Sequence, residues 1–204
     1  MAEDAAATLV LVRHGEIPAN AARVWHGSTD SELTELGRAQ AERTALHLAG
    51  RAPRPAALYT SPLARTRETA RSIARQLALE PVVEPGLAEY GIGELEGESY
   101  EDLVRVHRFF ARIARDPEFA PPGGESPSQV IARMSAVLAR LAREHRGEQV
   151  VVVSHGAALG LTLGALLDRD ANQWQRYHLS NCAVSELVLE PAPRLLSWNR
   201  TEHL

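Results

Sequence analysis

Two aliphatic runs stand near opposite ends of the chain and finish alike. Residues 9–12 (LVLV) pass through Arg13 into His14-Gly15, and residues 150–153 (VVVV) pass through Ser154 into His155-Gly156. Four successive aliphatic residues without polar alternation fit a strand buried on both faces, as strands of parallel sheets are. Parallel neighbours require a long crossover, usually helical. Ligands of such sheets bind outside the carboxyl ends of the strands. If the two runs are near neighbours, both His-Gly ends are therefore expected at one place.

The intervening sequence supplies the crossovers. Thr34 is placed to cap a helix running to about residue 48, with Gly37, Ala41, Thr44 and Leu48 along one face. Residues 57–60 read as a short strand, followed by Ser61-Pro62 as N-cap and first position of a helix ending at Leu77. Residues 81–83 read as a third strand and 84–99, rich in glycine and glutamate, as loop. Ser99 is placed to cap a helix over 100–115, with Leu103, His107, Phe110 and Ala114 on one face. Three prolines and two glycines make 116–125 loop. Ser126 to Gln129 is a capping box with proline at the first position, opening a helix that carries Val130, Met134, Val137, Leu138 and Leu141 at core spacing. Residues 157–167 read as a buried helix, with Gly160 and Gly164 in a GxxxG, and 185–190 and 195–199 as closing strands. The fold class expected is α/β: a single three-layer domain over 1–204, with a mainly parallel central sheet flanked by helices.

Composition narrows the function. An apolar fraction of 45% and a charged fraction of 24% are those of a globular chain. A net charge of −4 argues against nucleic-acid or membrane-surface partners, which favour basic chains. The lone Cys182 forms no internal disulfide and is expected buried and inert, which fits a reducing compartment. MAEDAAATL lacks the basic and apolar regions of a secretory leader, and no apolar run reaches the roughly 20 residues of a membrane span. A cytoplasmic protein is expected. Nothing in the sequence reads out an oligomeric state.

The residue types at the strand ends then point to chemistry. Arg13, His14 and His155 end two strands, and Arg65 falls in the first turn of the helix after a third. Any one of them alone reads more readily as an ordinary structural or surface residue. Together they suit a phosphoryl dianion, because guanidinium groups bond its oxygens in a planar bidentate fashion and helix N-termini add N–H groups. Gly15 and Gly156 are expected to let the backbone approach the ligand.

At this point the chain resembles the histidine phosphatase superfamily, also called phosphoglycerate mutase-like. The segments RHGEIPAN (13–20), HGSTDSELTELGRAQA (26–41), YTSPLARTRETA (59–70), LAEYGIGELEGES (87–99), PGGES (122–126) and VVVVSHGAALG (150–160) match its pattern in order. The resemblance implies that His14 is the nucleophile that accepts the phosphoryl group. It implies that Arg13, Arg65 and His155 grip that group, with Asn20 a further donor and Gly156 beside it, and that Glu89 is the proton donor. Residues 84–98 hold other glutamates, and only the family position before Tyr90-Gly91 singles out Glu89. The attacking nitrogen of His14 must be neutral, its other nitrogen held by a hydrogen bond, and neighbouring arginines favour that form. No metal or other cofactor is implied, and HExxH is absent.

Two departures from the family pattern border the substrate: Ile17-Pro18-Ala19 where Ser or Thr, any residue and Trp are common, and His26-Gly27 where Gln-Gly is common. The stretch from Glu89 to His155 is short for a mutase, with one helix and a Pro/Gly loop for a lid at about 90–128. A small lid favours hydrolysis. The leading expectation is a phosphomonoesterase acting on a small organic phosphate. A cofactor-dependent phosphoglycerate mutase is the alternative, and a non-catalytic phospho-ligand-binding module would need neither His14 nor Glu89. Arg105, Arg108, Arg112 and Arg115 form a stripe on the 100–115 helix, read as a solvated face before a substrate-contacting one. Trp25, Trp174, Tyr90 and Phe109 read as core.

Overall fold

A computed structural model describes residues 5–204; the first four residues of the segment read for a leader lie outside them. The chain runs β1 (Thr8–Arg13), α1 (Pro18–Ala22), α2 (Glu35–Ala49), β2 (Ala57–Thr60), α3 (Ala64–Leu77), β3 (Pro81–Val83), α4 (Tyr100–Arg105), α5 (Phe109–Arg115), α6 (Pro127–Glu144), β4 (Gln149–Ser154), α7 (Gly156–Leu163), β5 (Val184–Val188) and β6 (Arg194–Arg200). The six strands form one sheet in the order β3-β2-β4-β1-β5-β6. β1, β2, β3 and β4 are mutually parallel, whereas β5 and β6 run antiparallel. The result is a single α/β domain with a mainly parallel mixed sheet.

The two aliphatic runs occupy the centre of that sheet, and all eight of their residues are buried. Alternate side chains feed opposite layers. Leu9, Leu11, Val150 and Val152 join the layer of α6 and α7, with Leu138, Leu141, Leu159 and Phe109. Val10, Val12, Val151 and Val153 join the layer of α2 and α3, with Leu48, Ala70 and Ile73. Strands buried on both faces leave no polar face to alternate, which is why the runs are unbroken.

Several boundaries differ from expectation. The 100–115 helix is two helices, because Arg108 adopts a left-handed backbone (φ 49°) between α4 and α5. Leu103 and Phe109 are both fully buried. Six residues apart on a continuous helix, they would point about 120° away from a common direction, so the break lets both face the core. The buried positions are Leu103, Phe109 and Ile113, with Ala114 exposed. The arginine stripe is likewise divided, and its four members are exposed. Helix α3 starts at Ala64 with Leu63 as N-cap, two residues later than Ser61-Pro62 implied. α1 was not anticipated at all. The buried helix gives way at Gly164 to a π-helical turn, Gly164–Asp168, followed by a 3-10 turn, Ala171–Tyr177. Trp25, Tyr90 and Phe109 are core, but Trp174 is only partly buried. Among the described residues no helix is long and apolar enough to cross a membrane.

Candidate active site

β1 and β4 are adjacent and parallel, with Arg13 opposite Ser154. One residue later both chains leave the same edge of the sheet, so the His14 and His155 rings meet edge to face, centroids 5.2 Å apart. β2 flanks β4 on its other side with Thr60 opposite Val153, which delivers Ser61 and the first turn of α3 to the same end. The topology thus assembles residues from three separated stretches of sequence.

His14 Nδ1 donates to the Gly15 carbonyl at 2.7 Å. That bond consumes the Nδ1–H and leaves Nε2 as the unprotonated nitrogen. Burial first, then the Arg65 and Arg13 guanidinium groups, hold the imidazole well below its ordinary pKa. The neutral tautomer is therefore set twice, by a hydrogen bond and by the surrounding positive field.

Arg65 is fully buried. Its Nη1 donates to Thr29 O (2.8 Å), its Nη2 to Gly27 O (2.7 Å) and His26 O (3.3 Å), and its Nε to His155 Nδ1 (3.3 Å). A guanidinium has five N–H donors; four are engaged, and one on Nη1 remains. Because His155 Nδ1 accepts from Arg65, its proton resides on Nε2, which donates to Ser61 Oγ at 2.7 Å. Burial and then Arg65 hold His155 well below its ordinary pKa. Arg13 Nη1 donates to Leu179 O at 2.6 Å, but its buried Nε has no hydrogen-bond partner among the described residues.

The carboxylate of Glu89 lies at the N-terminus of α7. Oε1 accepts from the backbone N–H of Ala158 (2.7 Å) and of Tyr90 (2.8 Å), and Oε2 from Ala157 N–H (3.2 Å). Its backbone is held by Arg133, which donates to the carbonyls of Gly86, Ala88 and Glu89 and pairs bidentately with Glu125. Ser154 Oγ adds a bond to Leu87 O.

A cavity of about 40 Å³ is lined by His14, Arg13, Asn20, Glu89, Gly156 and Tyr100, among others. Five of the seven sequence-predicted residues thus share one cavity wall, while Arg65 and His155 are packed behind it with their bonds made to protein. The two glycines have different neighbours. A Cβ on Gly15 would lie 2.4 Å from the Gly37 carbonyl, so Gly15 admits α2 rather than a ligand; on Gly156 it would crowd Arg13 Nε at 3.2 Å. Among the described residues, no group of three or more His, Cys, Asp or Glu side chains could hold a metal ion.

Sequence reasoning missed several contributors, Arg133 among them. Ser61 was assigned to a helix cap; its place in Thr-Ser-Pro-Leu at the end of β2 was the available signal. Asn181 donates from Nδ2 to His14 O and to Asn20 Oδ1, both at 3.0 Å, and Cys182 N–H donates to Arg13 O at 2.9 Å. Only the antiparallel pairing of β5 with β1 brings that loop to the end of β1. Cys182 itself is buried, which pushes its thiol up to about 12. Glu96 accepts from the N–H and the hydroxyl of both Ser28 and Thr29. Burial opposes its charge, but those four bonds outweigh it and hold the carboxyl below its usual range.

A family model described as histidine phosphatase superfamily (branch 1) matches residues 9–201. A probable phosphoglycerate mutase GpmB of Photorhabdus laumondii is 36% identical over 189 residues, which are 92% of this chain and 87% of that protein. A metal-independent phosphoserine phosphatase of Arabidopsis thaliana is 36% identical over 202 residues, 96% and 82% of the two chains. Among solved structures, phosphoserine phosphatase of Entamoeba histolytica in complex with 3-phosphoglyceric acid superposes with a TM-score of 0.86 at 29% identity, covering 97% of this chain and 99% of that one. A mycobacterial glucosyl-3-phosphoglycerate phosphatase gives 0.82 at 29% identity, covering 95% and 99%.

Proposed function

The chain belongs to the histidine phosphatase superfamily, and on that premise we propose that it is a metal-independent phosphomonoesterase working through a covalent phosphohistidine on His14. The observation that carries this reading is the state of His14: Nδ1–H committed to Gly15, Nε2 unprotonated, and the ring in one cavity wall with the unpartnered Nε of Arg13. Names of relatives that include phosphatases, one of them metal-independent, support the same class.

In this reading the Nε2 lone pair forms the N–P bond as the P–O bond to the alcohol breaks. Glu89 gives its proton to the departing oxygen. Water then attacks phosphorus, Glu89 takes back a proton, the N–P bond breaks, and inorganic phosphate leaves neutral His14 behind. Charge on the phosphoryl oxygens is met by Arg13, the Asn20 side chain and N–H groups at the start of α7 around Gly156. The remaining Nη1–H of Arg65 and the Nε2–H of His155, now shared with Ser61, are the donors that would turn to those oxygens. The 90–128 segment is the lid of the one catalytic domain, Tyr100 being its contribution to the cavity wall.

The mutase reading is favoured by the name of the Photorhabdus relative. It differs in the fate of the phosphoenzyme, which would survive in buffer and pass its phosphate to an alcohol. Rapid-quench labelling with a phosphate ester decides both points. His14→Ala should abolish acid-labile labelling and turnover. Label on another residue, or turnover retained in that variant, would overturn the proposal; label that persists until a second alcohol is added would establish the mutase.

A further inference from the structure

The cavity at His14 is too small for more than the transferred group and opens outward past two aromatic residues. Tyr100 and Trp174 line it, and they also line two larger compartments beyond it. One, about 610 Å³, is bounded by Tyr100, Val104, Phe110, Trp174 and Gln175, with Arg23 and Arg105 at its edge. The other, about 460 Å³, shares Arg23, Tyr100, Trp174 and Gln175 and reaches back to Arg13 and Asn20. An ester whose phosphorus faces His14 must send its alcohol portion past Tyr100 and Trp174. These volumes lie within the range of about 300–1,000 Å³ found for sites that hold whole ring-bearing small molecules.

The chemistry of the walls is specific. Tyr100 and Phe110 stack at 6.3 Å with ring planes 13° apart, and Phe110 and Trp174 at 5.6 Å with planes 24° apart. Three near-parallel rings thus form one apolar wall, and Tyr100 and Val104 on α4 keep 39% and 57% of their surface exposed. The charges differ in availability. Arg105 is paired with Glu101, which lines the same groove, at 2.6 Å. The exposed Arg23 side chain makes no hydrogen bond or ion pair among the described residues, and it borders both compartments.

We propose that the substrate's leaving group is an alcohol bearing a ring with a broad apolar face, seated on Tyr100 and Trp174, and beyond the ring a carboxylate-like anion held by Arg23. This rests on the phosphomonoesterase reading and narrows it, since a serine-sized alcohol would leave the aromatic wall and Arg23 without a partner. Ring-on-aromatic contact and a solvent-exposed arginine–carboxylate pair are the interactions such a surface supplies.

The test compares ethyl phosphate, 2-phenylethyl phosphate and 2-(4-carboxyphenyl)ethyl phosphate, which share the same P–O–CH2–CH2 linkage. kcat/KM should rise about tenfold on adding the ring and about three- to tenfold more on adding the carboxylate. Trp174→Ala should collapse the ring ratio toward one. Arg23→Met, a surface change that spares the fold, should collapse the carboxylate ratio. Equal kcat/KM for the three esters would overturn this inference while leaving the phosphatase intact. Titration calorimetry with the three matching phosphonates covers the other failure: if no ester is hydrolysed, the order of their Kd values still decides, and three equal values overturn the assignment.

Discussion

Arg65→Lys keeps the positive charge and removes the fork, and the structure gives its cost. Wild-type Arg65 satisfies three loop carbonyls and His155 Nδ1 from a fully buried position. A lysine has three donors on a single atom and a different reach, so it can meet one or two of those four acceptors. At least two are left unpaired, and the Gly27 carbonyl bond is among the buried ones. At about 1–2 kcal/mol for each buried acceptor left without a donor, the variant should lose about 2–4 kcal/mol of stability. That is read as a lower urea midpoint with an unchanged m-value. Loss of the donor proposed to reach the phosphoryl group should also cut kcat/KM about 10- to 100-fold. A midpoint shift worth under about 0.5 kcal/mol would refute the view that Arg65 is the staple of the 26–29 loop.

Other expectations concern chemistry and pH. Glu89→Gln should slow hydrolysis of an alkyl phosphate far more than that of p-nitrophenyl phosphate, whose leaving group departs without a proton; equal losses would remove Glu89 from proton donation. Prolonged dialysis against EDTA should leave turnover unchanged, and a loss restored by a divalent ion would contradict the metal-independent reading. His14 and His155 both have folded-state pKa values below the ordinary 6.5. The unfolded chain therefore binds more protons than the folded one below about pH 6.5, and stability should be full above that pH and decline as pH falls. Urea titrations between pH 5 and 8 should show this slope, reduced by up to about one proton in His155→Gln; a slope of opposite sign would contradict the buried neutral rings.

What was legible in the sequence was the sheet's centre. Unbroken aliphatic runs mark strands 9–12 and 150–153, and their common His-Gly endings bring His14 and His155 together once parallel neighbours are assumed. The capping box at Ser126 and the caps at Thr34 and Ser99 set three helix starts correctly because a side chain bonds the third N–H locally. Elsewhere tertiary demands prevailed over local pattern. Ser61 looked like a cap but bonds His155 across the site. The α4–α5 break satisfies Leu103 and Phe109 at once, a requirement no helical periodicity encodes. Asn181 and the Arg133 bonds to the carbonyls of Gly86, Ala88 and Glu89 were invisible for a simpler reason: those partners lie far along the chain, and only the completed topology brings them near.

The hydroxyl-gripping carboxylate of Glu96 sits seven residues after Glu89 on one short segment. It clasps Ser28 and Thr29, while the carbonyls of residues 26, 27 and 29 hold the guanidinium of Arg65. The residue proposed to handle the proton and the arginine proposed to handle the charge are thus mechanically geared through a strap of loop. A change in the length of this segment would therefore shift Glu89 and Arg65 together, whereas the walls further out are free of that coupling.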